Sequence, residues 1–246
     1  MEKKSLIFII VLYSIFGLIG PIWAQEVELE SRYVLSRDFY LEADDNYASS
    51  KEAYLNQQTL ERKNILFRSL KSFLYARNKL QRDYLGFLIN EIENTLGKES
   101  IDKLRSWLIW LSQEEDEINQ QQSVEDLYNI SYQLREIYPE MEADIYLQLA
   151  NYAVINQRKV IEELTFIRDR LKLLTVNNNW EEEVNQKIKS AEANQDLGLE
   201  TIKEARIRRP GDAKKAWDST VVYLNRSQED LDVTFDYLDE VIKRLE

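Results

Sequence analysis

The sequence predicts an all-α protein, an elongated antiparallel bundle of long, coiled-coil-like helices, and three observations point there. Only six glycines and three prolines punctuate 246 residues, far fewer turn residues than a β protein of this length needs. The intervals between them are rich in Glu, Lys, Leu, Gln and Arg, which are strong helix formers. Two series recur every seven residues: Tyr33, Tyr40, Tyr47 and Tyr54, then Trp217, Leu224, Leu231, Leu238 and Leu245. That period keeps side chains on one helix face and marks a packing seam.

The chain opens with Lys3 and Lys4 and then carries no charge from Ser5 to Ala24. A short basic region, an apolar run and a Gly20-Pro21 break before Ala24 match a secretory signal over residues 1–24. Cleavage after Ala24 leaves Gln25 as the new N-terminus, although Ile22 stands where a small residue is usual. An uncleaved anchor is the alternative, since twenty uncharged residues just span a bilayer with the lysines left in the cytoplasm. Both readings place residues 25–246 outside the cytoplasm, as a single elongated helical-bundle domain.

Helical signals continue from about Ser31 to Leu96 and stop at Gly97, a C-terminal cap. Within this stretch the tyrosine ladder gives way to a stripe that starts at Leu66. Those twelve residues from Tyr54 turn the face by about 120°. The polar "NQQ" at 56–58 lies between the two patterns, so either a hinge forms near 56–59 or one straight helix changes neighbours. Unbroken, that helix is roughly 100 Å long. Ser100 caps a short helix containing "WLIWL". Ser123 with Asp126 resembles a capping box opening the next. Pro139 either kinks that helix or lies in the first turn of a new one. Asn179 caps a further helix with Glu181, Glu182 and Glu183 in its first turn, and "RRPGD" precedes the last. Interhelical breaks are therefore expected near 97–100, 119–123, 138–139, 175–179 and 208–212.

In the last helix Val221, Gln228, Phe235 and Ile242 alternate with the Trp217–Leu245 series at steps of four and three, completing an expected seam. In the tyrosine ladder the residues three further on are Ser36, Ala43, Ser50 and Gln57, mostly small. Large rings beside small side chains suit close helix packing with the phenol oxygens at the wet edge.

Composition closes off much chemistry. The chain has no cysteine and no histidine, which removes disulfides, thiolate and imidazole metal ligands, and the Ser-His-Asp triad. A net charge of −12 opposes non-specific binding to nucleic acid. Acidic runs at 42–45, 114–117, 181–183 and 229–232 read as solvated helix faces, because consecutive carboxylates on a helix point around it rather than to one ion. No catalytic, cofactor or metal residues are expected. Two places are candidates for interaction: Trp110, and the basic cluster of Arg206, Arg208, Arg209, Lys214 and Lys215 around the 208–212 turn.

The segment "DFYLEADDNYASSKEAYLNQQTLERKNILFRSLKSFLYARNKLQRDYLGFL" (38–88), with "SVEDLYNISYQLREIYPEMEADIYLQL" (123–149), resembles a group of exported all-helical proteins of candidate-phylum bacteria, the Patescibacteria. The resemblance lies in the spaced tyrosines, "SKEAYL", "QTLE" and "ARNKLQRDYL" before a Gly-capped end. It implies a helical fold and export, and it transfers no activity.

These observations lead first to a non-enzymatic structural or interaction protein of the cell envelope, paired with a protein partner or with copies of itself. Contact with a membrane is expected only through residues 5–24 if they stay uncleaved. An extracytoplasmic ligand-binding or sensory bundle comes second. A carboxylate-based enzyme comes last, for want of histidine and cysteine.

Overall fold

The computed structural model describes the backbone of residues 23–174 and 179–245, with side chains over 31–174 and 180–244. Residues 1–22 of the expected signal lie outside the described residues, as do the side chains of Ala24, Gln25 and Leu245. The described chain is an all-α bundle without strands. Its helices are α1 Trp23–Asn56, α2 Leu60–Leu96, α3 Lys98–Gln120, α4 Val124–Lys172, α5 Asn179–Arg208 and α6 Ala213–Leu245, with a 3-10 turn at Pro210–Asp212.

The breaks form where local chemistry dictates them. Between α1 and α2, Thr59 caps α2 by accepting the Arg62 amide at 3.3 Å, while Arg62 Nη1 donates to the Ala53 carbonyl at 2.6 Å. One side chain thus adds a second hydrogen bond to a carbonyl in the last turn of α1 that already accepts the Gln57 amide at 3.2 Å. Gly97 takes the left-handed conformation at φ 77° and donates to the Glu93 carbonyl at 2.9 Å, closing α2. Ser123 accepts the Asp126 amide at 3.1 Å and opens α4.

One expected break does not form. Pro139 lies inside α4, which runs unbroken from Val124 to Lys172. Proline there removes a helical hydrogen bond at a cost of about 3 kcal/mol. The buried face carries straight through it, with Leu134, Tyr138, Met141 and Ile145 all in the core, and packing on both sides holds the helix together across the defect.

The contacts group the chain into two compact units, where the sequence suggested one domain. The first holds the chain to Leu88 with Leu111–Leu127, and the second holds Ile89–Trp110 with Tyr128 onward. All three boundaries fall within helices, so no linker composition marks them.

In the first unit α1 and α2 run in opposite directions: Tyr33 meets Tyr84, Tyr40 and Tyr47 meet Phe73, and Arg62 reaches back to Ala53. Leu66, Leu70, Leu74, Leu85 and Leu88 form the buried stripe of α2. Eight acidic and three basic residues lie in α1, against four acidic and seven basic in α2, so the pair is matched in charge as well as shape. Lys71 Nζ donates to the Asn119 carbonyl at 2.6 Å and the Gln121 carbonyl at 3.2 Å, covering the C-terminal end of α3.

In the second unit α4, α5 and α6 form an up-down-up arrangement. Going up α4, its partners on α5 descend: Asp144 pairs with Arg206, Arg158 with Asp196, Arg168 with Asn185 and Lys172 with Glu181. Its partners on α6 instead ascend, from Trp217 opposite Tyr146 to Leu224 and Gln228 opposite Gln157. Among the described residues, two apolar clusters join α4, α5 and α6. One gathers Ile161, Leu164, Val184, Ile188, Ala191, Leu231 and Leu238, and the other Leu147, Ala150 and Ile202.

Candidate functional site

The tyrosine ladder is a seam within this chain. Tyr33, Tyr40, Tyr47 and Tyr54 are all half-buried against the first unit's core. Their rings sit 5.7 Å from Tyr84, 5.8 Å from Phe73 and, stacked at 19°, 5.1 Å from Phe73 for Tyr33, Tyr40 and Tyr47 respectively. Between them Ser36 and Ala43 are buried, the small residues that let the two backbones approach. Ser36 also donates to Asp83, and Lys79 Nζ reaches the same carboxylate at 2.5 Å and the Ser36 hydroxyl at 3.1 Å. A buried hydroxyl in the seam is thereby satisfied from α2.

The opposite face of α1 has no such cover. Val34, Leu41, Ala48 and Leu55 follow the tyrosines by one residue at the same period of seven, and all four are exposed, Leu41 at 53% and Leu55 at 63%. Asp38, Asp45 and Glu52 interleave with them at steps of four and three. The row therefore alternates apolar and acidic side chains on the side of α1 turned away from α2. Its spacing was present in the sequence, but the tyrosines drew the eye to the neighbouring column.

The basic cluster is largely neutralised. Arg206 Nε donates to Asp144 at 2.5 Å, Arg208 lies 3.7 Å from Glu204, Arg209 lies 3.8 Å from Asp212, and Lys214 is hydrogen-bonded to Asp218. That last bond holds the Lys214 ammonium above its ordinary pKa. Lys215 is exposed beside this paired set.

Trp110 does not stand alone on a free face. It meets Trp107 edge-on at 5.7 Å and Tyr138 edge-on at 6.3 Å. Trp107 also meets a polar centre that sequence reasoning missed, the carboxylate of Asp144, only 4% exposed. Trp107 Nε1 donates to it at 2.9 Å, Arg206 binds its other oxygen, and Lys103 Nζ approaches to 4.0 Å while lying 4.8 Å over the Trp107 ring. A buried carboxylate survives only with such partners. It ties α3, α4 and α5 of the second unit at one point, a structural role for Arg206.

Along α6, Leu224, Leu231 and Leu238 are buried and Trp217 is half-buried, stacked on Tyr146 at 5.4 Å and 9°. The alternating positions differ from expectation. Thr220, Ser227, Thr234 and Val241 are the buried column, whereas Gln228, Phe235 and Ile242 are exposed, Phe235 at 53%. Thr220 and Ser227 are hydrogen-bonded by α5 and Thr234 donates to the Asp230 carbonyl of its own helix, information that an apolar periodicity does not carry.

Among the described residues no group of three or more acidic side chains is placed to hold a metal ion, and no helix is long and apolar enough to cross a membrane. No family model matches the chain, and neither the curated proteins nor the solved structures contain a significant match to it.

Proposed function

We propose that this is an exported, non-enzymatic structural or interaction protein of the cell envelope, working through helical packing surfaces. The observation that carries the reading is the outer face of α1. Apolar residues at a sustained seven-residue spacing are what a helix uses to receive another helix, and Val34, Leu41, Ala48 and Leu55 keep that spacing while exposed. The tyrosine seam beside them is occupied within the chain, leaving this second row for a protein partner or another copy. Export rests on the basic-then-uncharged N-terminal segment, and the resemblance to exported helical proteins of Patescibacteria agrees with it.

Because the chain has no cysteine, Ala48→Cys provides a single attachment point for a cross-linker on that face. In the native host, the reading expects one envelope component, or a second copy, to be captured reproducibly and lost when Leu41→Glu is added. A compact monomer at high concentration that yields no cross-link in the envelope would overturn it. Fractionation with mass measurement separates a cleaved from an anchored form.

A ligand-binding bundle is the second reading. The open groove of about 490 Å³ along α5, where Arg158, Lys203 and Arg208 alternate with Asp196, Glu200 and Glu204, favours it. Thermal stabilisation by a member of a metabolite panel, lost on Lys203→Glu, supports that reading, and a flat panel counts against it.

A further inference from the structure

Helix α6 carries two seams that share one column. Trp217, Leu224, Leu231 and Leu238 combine on one side with Thr220, Ser227, Thr234 and Val241, and on the other with Val221, Gln228, Phe235 and Ile242. The two differ by a rotation of the helix of roughly 50° about its axis. Apolar area favours the second, since it buries Val221, Phe235 and Ile242 in place of Thr220, Thr234 and Val241, with Gln228 in place of Ser227. The structure adopts the first, leaving Phe235 53% and Ile242 38% exposed.

Polar contacts from the facing helices oppose that apolar preference. Gln195 of α5 is fully buried, and its Nε2 donates to Ser227 Oγ at 3.1 Å. Three residues on, the Gly198 carbonyl accepts the buried Thr220 hydroxyl at 3.1 Å, with Thr220 and Tyr223 packed against this point of α5. From α4, Gln157 Nε2 donates to the Leu224 carbonyl at 3.0 Å. Gln195 lies between Ala191 of one apolar cluster and Ile202 of the other, so a polar layer divides the two. Its Oε1 is already without a hydrogen-bond partner. Turning α6 to its second seam would break the Gln195–Ser227 and Thr220–Gly198 bonds and press the longer Gln228 side chain into the space of a serine, which is costly.

We infer that Gln195, with Gly198 and Gln157, sets the rotation of α6 and so keeps the Phe235–Ile242 edge turned outward. These are positioning residues: they decide which of two α6 faces is displayed. The device resembles a buried polar residue that chooses register in a coiled coil, at a cost in stability. It concerns the second unit only and is independent of the α1 surface proposed above.

Single-cysteine labelling tests it on the full chain. In the parent protein Phe235→Cys should react quickly with a maleimide, and Thr234→Cys at least tenfold more slowly. Adding Gln195→Leu to each should bring the two rates together or reverse them, with helical content retained. Unchanged rates would overturn the inference. Should Gln195→Leu fail to fold, Ser227→Ala combined with Thr220→Val removes the Gln195–Ser227 bond together with the Thr220–Gly198 bond, with little change in volume. The same convergence is expected there, and labelling like the parent's would sink the proposal.

Discussion

Phe73 is the ring on which the α1–α2 seam turns, since both Tyr40 and Tyr47 lie against it. Truncating a fully buried phenylalanine to alanine costs about 3–5 kcal/mol, and Phe73 is half-buried, so roughly half of that applies. Each lost aromatic contact adds about 0.5–1.5 kcal/mol. The two together put Phe73→Ala at about 3 kcal/mol, which is roughly a hundredfold in an equilibrium constant. The loss should fall on the docking of α1. Its ring contacts and the Arg62–Ala53 bond tie it to α2, and α2 keeps its Leu66–Leu88 stripe. Amide hydrogen exchange by mass spectrometry reads this directly, as local opening. Exchange across residues 33–54 should quicken about a hundredfold, while peptides from α5 stay as they were. Phe73→Leu, which keeps most of the buried volume, should show a smaller change. Unaltered protection over 33–54, or equal loosening of α1 and α5, would refute the idea that Phe73 anchors the ladder.

Three further outcomes follow from other parts of the structure. Leu238→Ala should lower stability by about 3 kcal/mol and Phe235→Ala by less than about 1 kcal/mol, compared by urea midpoints, because only Leu238 is enclosed. Asp144→Ala should cost about 2–3 kcal/mol by the same measure, below the usual penalty for breaking a buried pair because Arg206 is partly exposed. Asp144→Asn, which keeps an acceptor for Trp107, should cost less. The Glu114 carboxyl is pushed above its ordinary pKa, first by burial and then by the Glu117 charge, and one of its oxygens lacks a hydrogen bond. A raised acid weakens the folded state as pH climbs through the unfolded value toward the folded one, and below the unfolded value the effect vanishes. Glu114→Gln should therefore match the parent near pH 3 and exceed it at pH 7. Urea midpoints at the two pH values check this, and an advantage that shrinks toward neutrality would contradict it.

The fold class and most of the boundaries were legible in the sequence because they depend on neighbours a few residues apart. A glycine that accepts positive φ and a serine three residues before an aspartate act through hydrogen bonds within one turn, and Gly97 and Ser123 end and begin a helix as that chemistry requires. The seven-residue columns, likewise, are properties of one helix. Tertiary structure alone decided what those columns face. Pro139 is carried within α4 because Tyr138 and Met141 are buried on either side of it, and their partners lie far off in sequence. Asp144 reads as one more surface acid until Trp107 and Arg206, 37 and 62 residues away, converge on it. For α6, counting apolar residues favours the Phe235 edge, while a buried amide and a backbone carbonyl on α5 make the hydroxyl column the inward one. Local periodicity specifies that a helix has a face, and only the donors and acceptors of its neighbours determine which face is turned inward.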